Sequence, residues 1–110
     1  MELLSKELLS AVLGERVFAY SLTKDKPNMI TILANNLTRD VNIYELAHKV
    51  KEWMSDKYPN FSIKWANHKA VGTENFQVRV WLYNECIGKA DTEPEALFKA
   101  GEWVLKELDK

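Results

Sequence analysis

The clearest hydrophobic pattern in this chain lies near its C-terminus and predicts a helix over residues 92–108. Thr92 and Glu95 have the spacing of a capping box, in which the hydroxyl accepts a hydrogen bond from a free backbone N–H at the helix start. Pro94 falls in the first turn, where it removes no intrahelical hydrogen bond. Apolar or small residues then recur at helical spacing, at Leu97, Ala100, Gly101, Val104 and Leu108, with Phe98 on the flank. One face of this helix should therefore be buried.

The same reasoning predicts two more helices. Asn42 can cap a helix over residues 42–58, because Glu45, three residues later, completes a capping box. Pro59 ends this helix. The residues of its buried stripe are Ile43, Leu46, Ala47, Val50, Trp53 and Met54. A shorter helix is predicted over residues 2–13, with Leu4, Leu8, Ala11 and Val12 on one side and Gly14 at its end.

Five strands are predicted from apolar runs and from alternation, at 17–22, 29–33, 61–66, 76–83 and 86–87. The first two should pair as a hairpin through the polar loop 23–28, and Asn84-Glu85 has the composition of a tight turn. Residues 34–40, which include Asn35-Asn36, form the segment most like a boundary between two halves.

These elements define an α+β fold. We expect a mainly antiparallel sheet of about five strands in the order α-β-β-α-β-β-β-α, with the helices at 42–58 and 92–108 packed on one face and the N-terminal helix elsewhere. The chain has no Gly/Ser-rich or Pro-rich linker, so residues 1–110 are predicted to form a single domain. Within it, residues 1–40 supply a helix and a hairpin, and residues 41–110 supply the α-β-β-β-α unit.

The composition of the chain limits the classes of partner and the cellular compartment that we expect. The net charge of −1 argues against a dedicated polyanion-binding protein. The single cysteine, Cys86, cannot form an internal disulfide and fits a reducing cytoplasm. No apolar run approaches the ~20 residues of a membrane-spanning helix, so no membrane partner is expected.

The residues that most often carry chemistry are few. His48 has no second histidine or cysteine at helical spacing, His68 falls in a polar stretch, and Cys86 has no general base near it in the sequence. Glycine loops for phosphate and serine nucleophile elbows are absent from the sequence. We therefore expect no catalytic site, metal site or cofactor, unless these three residues converge in the fold.

The candidate binding surface is one face of the predicted central strands. It combines basic and aromatic side chains, Lys64, Gln77, Arg79, Trp81 and Tyr83. Such a face can be buried under the N-terminal helix or the hairpin, which is the interpretation we favour from the sequence. It can also form a protein interface, for which Trp, Tyr and Arg are typical, or stack bases and hold phosphates.

Two resemblances extend this picture. The segment Ala90-Asp91-Thr92-Glu93-Pro94-Glu95-Ala96, followed by Ala100, resembles the end of small phage and prophage proteins of the kind called ABA sandwich domains. The segment Asn42-Ile43-Tyr44-Glu45-Leu46-Ala47-His48-Lys49, followed by Trp53, also resembles small uncharacterised phage proteins. This likeness covers residues 42–108. It implies a sheet between helices and a virus-derived accessory protein of unassigned activity.

The predicted helix, three strands and helix are also similar to the double-stranded RNA-binding domain. The small and apolar residues of the last helix and the segment Phe76-Gln77-Val78-Arg79-Val80 carry that likeness. The lysines that hold phosphate in that family correspond here to Glu93, Pro94 and Leu97. The resemblance therefore implies the scaffold without its lysine motif. We expect a non-catalytic accessory protein that binds a protein partner, from the host or a second copy, with a nucleic-acid-binding module as the alternative.

Overall fold

The computed structural model describes residues 4–22, 25, 28–70 and 73–110, and the side chains of these residues except those at 65–70 and 73–76. Most of the predicted loop 23–28 and the side chain of His68 lie outside the described part. The elements in chain order are α1 (Lys6–Leu13), β1 (Val17–Leu22), β2 (Met29–Ala34), β3 (Leu37–Asn42), α2 (Ile43–Lys57), β4 (Ser62–Ala70), β5 (Thr73–Leu82), β6 (Glu85–Ala90) and α3 (Glu93–Leu108). The α+β class is confirmed.

Local capping begins each helix. The Asn42 side chain accepts hydrogen bonds from the backbone of Tyr44 and Glu45, and the Thr92 hydroxyl accepts one from Glu95, so both predicted starts are confirmed. Ser5 caps α1 in the same way by accepting from Leu8 N, and α1 therefore begins at Lys6, after Leu4. Gly14 ends α1 in the left-handed region, at φ 69°.

The predicted boundary at residues 34–40 is wrong, because it contains a tight turn and most of a strand. Asn35 and Asn36 adopt φ values of 54° and 63°, which asparagine tolerates better than most residues, and they reverse the chain between β2 and β3. Strand β3 then pairs antiparallel with β2 along its whole length. Its residues are mostly exposed and polar, so it carried no hydrophobic alternation in the sequence.

The strands form two sheets, and the expected single sheet of about five strands is corrected accordingly. One sheet has the order β1-β2-β3 and the other the order β4-β5-β6. Asn42 is both the last residue of β3 and the cap of α2, so the chain enters a helix directly after the first sheet. That helix separates β3 from β4 along the chain, and each sheet is built from consecutive antiparallel hairpins.

Helix α3 packs against one sheet and against the other two helices. It lies on β5 and β6, while α2 packs beside it and also contacts β3, and α1 contacts β1, α2 and α3. A Cβ added at Gly101 of α3 would lie 2.9 Å from Val50 Cγ1 of α2 and 3.1 Å from Leu8 Cδ2 of α1, so all three helices meet at this glycine. The Glu102 carboxylate accepts a hydrogen bond from Ser5 N at 2.7 Å, which holds the start of α1 against α3.

Burial along α3 follows the predicted stripe except at two positions. Leu97, Ala100, Gly101 and Val104 are buried as predicted, but Leu108 in the last turn is 46% exposed. Phe98, which was expected on the flank, is only 1% exposed. It faces a cleft shared with Asn28 and Ile43, because the first half of the chain approaches α3 from that side. Within the described residues, none of the helices is both long enough and apolar enough to cross a bilayer.

Candidate binding face

Strand β5 separates a buried surface from an open one. Val78, Val80 and Leu82 point toward α3 and are buried, as period-two alternation requires. Gln77, Arg79 and Trp81 lie at the intervening positions, on the opposite side of the same sheet. We call this opposite side of β4, β5 and β6 the outer face. It contains Lys64, Gln77, Arg79 and Trp81 of the predicted binding surface, and Tyr83 lies in the turn that follows β5.

Strand register lines up three basic residues across the outer face. Lys64 of β4 faces Arg79 of β5, and Arg79 faces Lys89 of β6. We call these three residues the basic row. Neighbouring strands lie about 4.8 Å apart, so the row extends over roughly 10 Å. Directly beside it, Ser62, Trp81 and Cys86 form the next row.

The predicted burial of this face under α1 or the first hairpin is wrong. Tyr83 is 69% exposed, and Lys64, Cys86 and Lys89 are also exposed, whereas Trp81 and Arg79 are half-buried. Helix α1 instead packs against β1, α2 and α3, and its Leu8 lies beside Gly101 of α3. The sequence predicted two apolar surfaces, one on α1 and one on the outer side of β5. It did not determine whether these two surfaces would pack against each other.

Two hollows flank the basic row. One, of about 280 Å³, is lined by Asn60, Ser62, Lys64, Trp81, Tyr83 and Asn84. The other, of about 490 Å³, lies at the β6 edge between Arg79, Cys86 and Lys89 on the sheet and Lys99 on α3. Lys99 Nζ donates a hydrogen bond to the Lys89 carbonyl at 3.1 Å, and this contact brings a fourth cation to the end of the row. Arg79 Nη2 donates to Gln77 Oε1 at 3.2 Å, which orients the guanidinium along the face.

Tyr83 stands at the tip of the β5–β6 hairpin in an unusual backbone conformation. Tyr83 and Asn84 have φ values of 50° and 70°, so the tight turn lies one residue before the predicted Asn84-Glu85. Two consecutive positive φ values are typical of a type I′ turn, where Asn and Gly are preferred. A bulky residue in this region costs roughly 1 kcal/mol or more. The hairpin therefore presents an exposed tyrosine ring at a position that its backbone disfavours.

We expect Tyr83→Asn to stabilise the protein, because asparagine adopts this conformation more easily. The free energy of unfolding in urea should rise by about 0.5 to 1 kcal/mol. Asn84→Gly tests the second turn position and should also raise it while keeping the tyrosine ring. If Tyr83→Asn instead lowers stability, the ring contributes packing that its exposure does not reveal.

Two of the three residues considered for a reactive centre, His48 and Cys86, lie on different parts of the surface, and the His68 side chain is outside the described part. His48 Nε2 lies 2.7 Å from Glu52 Oε1 on the surface of α2, in a groove next to the start of α3, whereas Cys86 lies on the outer face. Among the described side chains, no group of three or more His, Cys, Asp or Glu residues is placed to hold a metal ion. The cations and aromatic rings of the outer face can bind an anion or an aromatic ring.

Sequence reasoning found Lys64, Gln77, Arg79, Trp81 and Tyr83 but missed Lys89 and Lys99. Residues 86 and 89 differ by three, so strict alternation would place them on opposite faces of β6. The register shifts between Val80 and Trp81, and this irregularity puts Cys86 and Lys89 on the same face. To identify Lys89, the prediction would have had to extend β6 to Ala90 and include this register shift.

Comparison of the chain with protein-family models, curated proteins and solved structures found no match. The resemblances to phage accessory proteins and to the double-stranded RNA-binding domain therefore stay predictions.

Proposed function

We propose that this protein is a small, non-catalytic binding protein that holds an anionic partner on its outer face. The observation that supports this most directly is the basic row, in which register places Lys64, Arg79 and Lys89 at directly facing positions. Like charges at facing positions of a sheet repel each other and lower stability. A bound anion across the row reduces that repulsion, so the arrangement favours the complex.

The charge distribution of this face supports an anionic partner despite the net charge of −1 for the whole chain. Register and alternation assign seven described side chains of the strands to the outer face: Ser62, Lys64, Gln77, Arg79, Trp81, Cys86 and Lys89. None of these seven is acidic. The electrostatic potential at a surface depends mainly on charges within about 8 to 10 Å at moderate salt, so the lysines of the row affect the local potential more than the net charge of the whole chain does.

The expected role as a phage-type accessory protein of the cytoplasm belongs to this proposal. A protein partner, from the host or a second copy of this chain, would present carboxylates to the basic row and apolar atoms to Trp81. The duplex-RNA mode of the second resemblance is less well supported. Pro94 and Leu97, which stand where that family has phosphate-binding lysines, are both buried against the fold.

Labelled heparin provides a test that does not presume the class of partner. We expect it to bind the protein at low salt, with a fluorescence anisotropy change that is lost on adding salt. Lys64→Glu and Lys89→Glu should each weaken binding severalfold. Lys49→Glu is the matched control, because Lys49 is exposed on α2 and the variant has the same net charge. Equal binding by all three variants, or none by the unmodified protein, would contradict the proposal.

A further inference from the structure

We infer that the anionic partner is a single-stranded nucleic acid, whose phosphates lie along the basic row while its bases stack on Trp81 and Tyr83. This inference rests on the proposed function, since it names the partner of the same outer face. It depends on the position of the Trp81 and Tyr83 rings next to the basic row. Cations beside aromatic rings indicate a narrower class of partner than cations alone.

The distance between the row and the nearest ring matches the size of a nucleotide. Trp81 lies two residues beyond Arg79 on the same side of β5, a separation of roughly 7 Å along the strand. Tyr83 continues that line into the hairpin turn, and both rings line the same hollow as Ser62 and Lys64. A nucleotide carries a phosphate and a flat base at a comparable separation, so one unit can contact a cation and a ring at once.

The exposed Tyr83 ring favours nucleic acid over a partner that supplies only carboxylates. Carboxylates on a polypeptide would neutralise the basic row, but they would leave the exposed Tyr83 ring without a flat partner. Every nucleobase has a π-face that can stack on an aromatic side chain, and this stacking tolerates any sequence. The unfavourable backbone of Tyr83 is then explained by the position in which it holds the ring.

A single strand fits this face better than a duplex. The bases of a duplex are stacked on one another, so their faces are not available to Trp81 or Tyr83. The row covers only three strands, with Lys99 at its end, so it can contact only a few consecutive phosphates, as in the shortest known single-strand sites. No base-specific contact is required, and we expect weak sequence preference.

The salt dependence of binding follows from the number of cations. Neutralising three phosphates on a single strand gives a slope of about −2 in a plot of log affinity against log salt. The dissociation constant should therefore rise about 20-fold between roughly 50 and 200 mM salt. Lys64→Gln should reduce the magnitude of the slope by about 0.7, the value of one phosphate contact.

The experiment is a fluorescence anisotropy titration of the full chain with labelled oligo(dT) of ~12 nucleotides, a site with room for several registers. We expect a micromolar dissociation constant at low salt. Tyr83→Ser should weaken binding by roughly 5-fold or more, as the loss of one stacked base requires. Tyr44→Ser is the matched control, because Tyr44 is 60% exposed on α2 and should leave binding unchanged.

Parallel titrations with a duplex hairpin of the same sequence length, a labelled oligoglutamate and heparin separate the possible results. Preference for the single strand, with loss in Tyr83→Ser, supports the inference. Equal binding of duplex and single strand, or an unchanged affinity in Tyr83→Ser, overturns it. Binding of oligoglutamate or heparin without oligo(dT) also overturns it but leaves the proposed function standing. Binding of none of the probes contradicts both.

Discussion

Gly88→Ala should lower the free energy of unfolding by about 3 kcal/mol or more, the upper end of what overpacking costs. Gly88 lies in β6 directly under α3. A Cβ added there would lie 2.4 Å from the Ala96 carbonyl oxygen and 2.8 Å from Ala100 N. Both atoms belong to the helix backbone, so no side-chain rotation relieves the contact and α3 must move away from the sheet.

Urea unfolding followed by far-UV circular dichroism measures this effect, and Gly14→Ala is its control. Gly14 has open space around its Cα but a φ of 69°, so an alanine there should cost only about 1 kcal/mol through backbone strain. Gly88→Val should prevent folding altogether. A cost for Gly88→Ala no larger than that for Gly14→Ala would contradict the close approach of β6 and α3.

Phe98→Ala is the second large expected effect, with a loss of about 3 to 5 kcal/mol in the free energy of unfolding. The ring is only 1% exposed, on the side of α3 that faces the first half of the chain. Its removal leaves a cavity at that junction, which neighbouring elements can only partly fill. Thermal and urea unfolding should both report the loss.

Phe18→Ala is the matched control for Phe98→Ala. Phe18 is exposed on β1, and the Arg16 guanidinium lies 5.1 Å from its ring centroid. The loss of this exposed cation–π contact should cost about 0.5 to 1 kcal/mol. Phe98→Leu, which keeps most of the buried volume, should recover much of the stability lost in Phe98→Ala. Equal effects for Phe98→Ala and Phe18→Ala would contradict the buried position of Phe98.

Gly88 and Phe98 belong to β6 and α3, so substitutions there can also affect the outer face. Helix α3 supports β5 and β6 from the buried side, so it holds Arg79 and Lys89 in register on the other side. Gly88→Ala should therefore weaken heparin binding under conditions in which the variant is unfolded, although it removes no cation. Lys64→Glu should weaken binding without lowering the urea midpoint, because the new carboxylate faces Arg79 across the strands. The comparison separates loss of the fold from loss of the site.

Local interactions explain what could be predicted from the sequence. The starts of α2 and α3 depend on one side chain and the amide groups two or three residues away, as at Asn42 and Thr92. The alternation of β5 requires only a difference between the two sides of one strand, and the buried Val78 and Val80 confirm it. The α+β class follows from the order of such elements.

Other features depended on partners that are distant in the chain. Strand β3 had no hydrophobic signal because it is a polar edge strand held by pairing with β2. Phe98 was placed on a flank because nothing local indicates that the first half of the chain approaches it. Lys89 joined the basic row only through a register shift opposite β5.

The sequence by itself determined the helices, most of the strands and which residues share the outer side of β5. The tertiary structure decided that α1 does not cover this side, because α1 packs on β1, α2 and α3, with Leu8 beside Gly101. It also decided that Lys64, Arg79 and Lys89 face one another. The physical reason is that hydrophobic burial is not directional, so an apolar surface does not specify which partner covers it, whereas strand register is set by many backbone hydrogen bonds acting together.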